Sequence, residues 1–116
     1  MKIHLGPFCW DVQLHQTPEV PNTDGFFGLC DNNNQIIHVI TLCKRQRILI
    51  TFLHEIFHAI YYSGGMQGQE GKKQEIDEES IVGLFASGMA EVIRRNPKIW
   101  PFIIELAKNP EKMGLP

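Results

Sequence analysis

The hydrophobic pattern changes period at about Arg45, and that change restricts the fold more than any other feature of the sequence. Before it, apolar residues come in short runs: "KIHL" and "WDVQL" broken by Gly6-Pro7, then "FFGLC" and "QIIHVITL" around "DNNN". Such runs read as strands, and the Asp/Asn cluster between the last two signals a hairpin. Asn and Asp suit that turn because they tolerate left-handed backbone angles and bond their own main chain. The stretch "HQTPEVPNTDG", with its prolines and Asp-Gly, reads as a connecting loop. After Arg45 the spacing is helical: Leu49, Phe52, Leu53, Ile56, Phe57 and Ile60 recur along one stripe, and Ser63-Gly64-Gly65 stops it. The β-branched Ile48, Ile50 and Thr51 lower the local preference, so this helix must depend on burial. "SGGMQGQEGKKQE", residues 63–75, is polar and glycine-rich and is expected to be a mobile loop. A second helix is expected from about Asp77 to Arg95, with Val82, Phe85, Met89, Val92 and Ile93 as its stripe and Asn96-Pro97 as its end. A shorter one runs from about Lys98 to Lys108, before Asn109-Pro110. A β-rich half followed by a helical half is the α+β class, and 116 residues suffice for a single domain with its own core.

Charge and cysteine usage narrow the function. A net charge of −2 offers no electrostatic footprint for nucleic acid or a membrane surface. No apolar run reaches the ~20 residues of a membrane span, and "MKIHLGPFCW" lacks the uninterrupted apolar core of a signal peptide. Cys9, Cys30 and Cys43 form no close pair, which argues against a disulfide framework or a cysteine-built zinc site. Reduced thiols in a cytoplasmic protein are the expectation.

Within the first helical stretch lies "TFLHEIFHAIYY", which contains H-E-x-x-H: His54, Glu55, His58. Helical residues four apart differ by ~40° of rotation and ~6 Å of rise, so both imidazoles leave one face and can converge on one ion. Glu55, rotated by ~100°, points beside that ion. There it can act as a general base on water held by the metal and pass the proton to a leaving amine. The motif falls in an apolar helix, where the histidines are expected to be buried. An unpaired polar group there costs ~1–3 kcal/mol, which a metal would remove. The competing reading is two core histidines bonded to backbone.

A catalytic zinc takes a third protein ligand, and no histidine follows His58. Glu75, Glu78 and Glu79 are the candidates. Asp77 reads as an N-cap, and Glu78 and Glu79 as first-turn acids suited to the helix dipole. Helical geometry leaves Glu78 and Glu79 open: Glu78 lies nearer the Val82–Phe85–Met89 stripe, whereas Glu79 faces Gly83, Ala86 and Ala90, where another helix could come close.

H-E-x-x-H followed by a glutamate on the next helix resembles the gluzincin branch of zinc metallopeptidases. More narrowly, it resembles the small domains, often encoded by phages or mobile elements, related to the ImmA/IrrE and SprT-like families. "GLCDNNNQIIHVI" is similar to the family's upstream hairpin, "TFLHEIFHAI" to its active-site helix, and "EESIVGLFASGM" to its glutamate-bearing helix. The resemblance spans about residues 25 to 95. It implies a zincin-like fold, one Zn²⁺ per chain bound by His54, His58 and Glu79 (Glu78 as fallback), and Glu55 as catalytic base. It further implies a cytoplasmic setting, in a bacterium or a phage-infected host cell. The strand near 36–41 would then form the upper edge of the cleft, and a peptide or protein would be the substrate. Where many gluzincins carry an Asp four after the ligand Glu, this chain has Gly83, so the resemblance supplies no partner to orient His54.

Tyr62, four after His58, reads either as an oxyanion donor or as a core tyrosine. His38, between Ile36 and Ile40, reads as structural or cleft-lining rather than as a ligand. The expected activity is zinc-dependent peptide-bond hydrolysis. A non-catalytic module that keeps the fold and binds a protein is the alternative, and Glu55 speaks against it because a structural site has no use for a base. Deformylase-like amide hydrolysis would need a Cys ligand in a glycine-rich motif, which neither Cys30 nor Cys43 has.

Overall fold

Gly6 adopts φ +58, a left-handed angle open to glycine, and there the chain reverses between its first two strands. The computed structural model describes residues 1–16, 27–64 and 78–115. The first strand, β1 (Lys2–Leu5), pairs antiparallel with β2 (Phe8–His15), Ile3 opposite Trp10. The next two, β3 (Gly28–Asp31) and β4 (Ile36–Ile40), form the expected hairpin. Its turn works differently from expectation. The Asp31 carboxylate accepts the backbone N–H groups of Asn33 and Asn34 at 3.1 and 3.2 Å, as an Asp should. The left-handed residue, however, is Gln35 at φ 51, whose amide donates back to the Asn32 carbonyl at 2.6 Å.

The two hairpins join through a parallel pairing of β2 with β4, Asp11 opposite Ile36 and His15 opposite Ile40. The order is β1-β2-β4-β3. This corrects one expectation: β4 lies inside the sheet, and β3 is the edge strand beside it, with β1 at the other edge. Ile3, Leu5, Trp10, Val12, Ile37 and Val39 form the buried face by strand alternation.

Against that face packs α1 (Arg45–Ser63) through Ile48, Phe52, Ile56, Ala59 and Ile60. The buried stripe is turned from the expected one, since Phe57 is exposed and Glu55 buried. Apolar residues surround this helix, so periodicity alone could not choose the face. The helices α2 (Glu78–Arg95) and α3 (Ile99–Lys108) complete an α+β domain. Their contribution to the core centres on Val92, Ile99 and Leu106. Of the stripe expected on α2, Val92 is buried while Val82 and Ile93 are exposed, and Gly88 is buried beside Val92. A Cβ on Gly88 would lie 2.5 Å from the Ile60 side chain, so the missing side chain sets how closely α1 and α2 cross. The small face at Gly83, Ala86 and Ala90, where a helix could have come close, is exposed.

The loop expected over 15–25 lies largely outside the described residues, as do residues 65–75 of the second loop, with Glu75 and Asp77. No described helix is long and apolar enough to cross a membrane.

Candidate metal centre

The two histidines of α1 face outward. Both His54 and His58 are exposed, so neither the buried pair expected from the apolar run nor the core-histidine alternative describes them. The reason is rotational: Phe52 and Ile56 point into the core, and a residue two further on is turned by ~200°. The group that does enter the interior is the carboxylate, with Glu55 only 6% exposed.

The ring nitrogens nevertheless converge. His54 Nε2 and His58 Nε2 lie 3.1 Å apart, and the rings stand at 71° to each other. Two nitrogens bound tetrahedrally at 2.0–2.1 Å would be separated by ~3.3 Å, so the pair is close to the spacing an ion needs. Glu55 Oε1 approaches the same His54 nitrogen at 3.9 Å. Burial pushes the Glu55 carboxyl above its ordinary value, and the charge of His54 partly opposes that shift. A carboxylate so placed is a stronger base than a solvated one. The donor chemistry and spacing fit two ligands of a zinc ion with an adjacent base.

Among the described residues a third ligand is not gathered beside the pair. Glu78 and Glu79 open α2 and are exposed. Among the described residues no three His, Cys, Asp or Glu side chains form a group that could hold an ion.

The sheet edge provides the wall beside the pair. A cleft of about 380 Å³ is lined by Gly28, Leu29, Cys30 and Asn32 from the β3 side and by His54, Glu55 and His58. A Cβ on Gly28 would fall 2.6 Å from the Thr51 methyl and 3.3 Å from Glu55 Cγ, so β3 can lie this close to α1 only with glycine there. Cys30 also belongs to this wall. Burial, reinforced by the charges of Glu55 and Asp31, pushes its thiol up to about 12, which keeps it protonated and unreactive.

Tyr62 is not part of the centre. Its ring packs at 5.3 Å from Phe8 and 5.8 Å from Trp10, the core role. Four residues of helix rotate a side chain past His58 by ~40°, and here that carries Tyr62 toward the sheet. Tyr61, on the other side of the same face, borders the histidines instead. His38 is structural: its Nδ1 lies 2.9 Å from His15 Nε2, on the sheet face opposite the core. Asn32 and Tyr61 were not singled out in the sequence, and only the helical offset of Tyr61 from His54 and His58 could have signalled one of them; Gly28 and Phe85 were read there only as part of the hairpin and of the α2 helix.

No protein-family model matches this chain, and no curated protein or solved structure does either.

Proposed function

We propose that this chain is a zinc-dependent metallopeptidase. The observation that carries the reading is the convergence of two exposed imidazole nitrogens beside a buried carboxylate. His54 and His58 would hold the ion, with Glu79 as third protein ligand and Glu78 as fallback. Zinc there would supply Lewis acidity, polarising a peptide carbonyl and making a nearby water easier to deprotonate.

The remaining work falls to the chain itself. Glu55, at the base of the cleft, accepts the proton of the attacking water and returns it to the leaving amine. Its burial raises its affinity for that proton. Among the described residues β3 is the edge strand on the cleft side of the sheet, so its outer backbone groups can align an extended peptide across the cleft. Gly28 keeps that strand close enough to the helix for the peptide bond to reach the histidine pair.

Metal analysis of the purified protein by mass spectrometry, alongside peptide hydrolysis, is the test. About one zinc per chain is expected, the occupancy of a single catalytic site. It should be lost in His54→Ala and weakened more by Glu79→Ala than by Glu78→Ala. Glu55→Gln should retain zinc while turnover falls by about 10²–10⁴-fold. A folded protein that takes up no zinc when supplied with it would end this reading. Zinc and peptide binding without turnover would mark the chain as a binding module.

A further inference from the structure

The trough between β3 and α1 does not end at the histidines. Past Gly28 it continues toward the N-terminus of α1 as a recess of about 200 Å³, walled by Phe27 on the strand side and by Arg47, Ile50 and Thr51 on the helix. Gly28, His54 and Glu55 line this recess as well as the cleft beside the histidine pair, so the two form one continuous surface. Helix geometry puts Arg47 on the histidine side. Seven residues turn a helix by ~700°, within ~20° of two full turns, so Arg47 leaves α1 in nearly the direction of His54 and ~10.5 Å before it.

The Arg47 side chain is held there by an aromatic ring. Its guanidinium carbon lies 5.3 Å from the centroid of Phe27. A contact of that kind restrains the side chain without using its N–H groups, the part that forks a carboxylate. Phe27 is fixed in turn through its carbonyl, which accepts the Ile40 N–H at 2.8 Å. The needs of the helix do not explain this arginine. It stands in the first turn of α1, which has no acidic residue, and the helix dipole disfavours a cation there. Lys44, the neighbouring cation, is already bound to Glu111 at 2.5 Å.

We propose that Arg47 is a specificity-determining residue that anchors a substrate carboxylate about three residues from the cleaved bond. The proposal rests on the peptidase reading of the histidine pair and deepens it by naming a substrate class. Spacing sets the position: an extended peptide advances ~3.3 Å per residue, so the ~10.5 Å between His54 and Arg47 is spanned by about three residues. Charge sets the class. An acidic side chain, or the carboxylate that ends a chain, meets a restrained guanidinium there, whereas a basic side chain meets like charge. Arg47 lies toward one end of the trough, so the preference falls on one side of the bond.

The experiment gives a random-sequence peptide mixture to the zinc-loaded protein and to its Arg47→Ala and Arg47→Glu variants, and reads the cut sites by mass spectrometry. Arg47 is exposed, so both variants keep the core intact. Asp and Glu should be favoured over Asn and Gln by about fivefold at a position near the third from the cut, as suits an exposed ion pair, and less so as salt rises. Arg47→Ala should erase that preference, and Arg47→Glu should replace it with Lys and Arg. Amidated peptides separate the two sources. A preference that survives amidation belongs to acidic side chains, whereas cuts that cluster near a free C-terminus and vanish on amidation belong to the chain end. Cutting with neither preference, or with one unchanged in both variants, overturns the anchor and leaves the peptidase reading standing.

A second arm needs no turnover. The Glu55→Gln protein, immobilised with and without Arg47→Ala, is offered the same mixtures at low salt. Retained peptides enriched about fivefold in carboxylates, with the enrichment lost in the double variant, support the anchor even if nothing is cleaved. Equal retention of acidic and neutral peptides, free and amidated alike, removes it.

Discussion

Glu55 and its histidine neighbours reverse the expectation drawn from a mostly apolar run, because the charged acid is buried and the imidazoles are at the surface. Solvation accounts for this economy. Imidazoles tolerate both water and a metal, whereas a general base gains strength from losing water. A second histidine pair shows the opposite use. Between β2 and β4, His15 and His38 share one hydrogen bond, and His38 is opposite Leu29 and Gln13 with Asp11 and Asp31 nearby. Burial first, then the charge of His15, lowers the His38 pKa from 6.5, outweighing the two aspartates. Between that lowered value and 6.5 the unfolded chain binds more protons than the native one, so this group makes stability rise with pH across the window. Stability should accordingly fall as pH drops below about 6.5, and His38→Gln should flatten that slope. Thermal denaturation between pH 5 and pH 8 of both metal-free proteins provides the comparison. Parallel curves would show that His38 does not contribute to the slope.

Two glycines of α2 separate what a helix wants from what a helix pair needs. Among the described residues an alanine at Gly83 would meet nothing within 4 Å, so Gly83→Ala should stabilise by about 0.5–1 kcal/mol through helix propensity alone. An alanine at Gly88 would meet three Ile60 side-chain carbons at 2.5–3.0 Å, with Ile60 itself held in the core. Gly88→Ala should therefore destabilise by about 1–3 kcal/mol despite the better propensity. Urea denaturation of the two variants reads the difference directly. Opposite signs for the same substitution on one helix are the expected signature, and a gain in both would mean that α1 and α2 do not cross at Gly88.

At the scale of the whole molecule, the C-terminal segment completes the start of α1. Lys44 makes no side-chain cap, yet the backbone N–H groups of Arg45 and Gln46 donate to the carbonyls of Lys112 and Pro110 at 2.8 and 3.0 Å. Arg45, only 3% exposed, donates from Nε to the Gly114 carbonyl at 3.0 Å, and Gly114 N–H returns to the Cys43 carbonyl at 2.9 Å. Residues at opposite ends of the helical half thus satisfy donors that the N-terminus of α1 would leave orphaned. Asn96 makes a second long-range connection, accepting from His4 N–H at 2.8 Å and donating to the His4 carbonyl at 3.0 Å. Truncation after Asn109 leaves Arg45 without its carbonyl and should lower Tm by at least about 10 °C, since each buried orphan costs ~1–3 kcal/mol. Differential scanning calorimetry tests this, and an unchanged Tm would show that α1 stands without its distant cap.

The sequence by itself determined the element order, the α+β class and the identity of the paired histidines and their intervening glutamate, because these depend on spacing along one chain. Period two against period 3.6 separates strands from helices, and a four-residue helical interval brings His54 and His58 together wherever the helix goes. Only the tertiary structure decided which way the helix turns. With Phe52, Ile56, Phe57 and Tyr61 all around α1, local pattern could not say that Phe57 would face the histidines while Glu55 entered the interior. Nor could it show that β3 rather than β4 forms the sheet edge, since strand order depends on pairings between segments far apart in the chain. Burial is a property of what packs against a residue, and no residue carries that information alone.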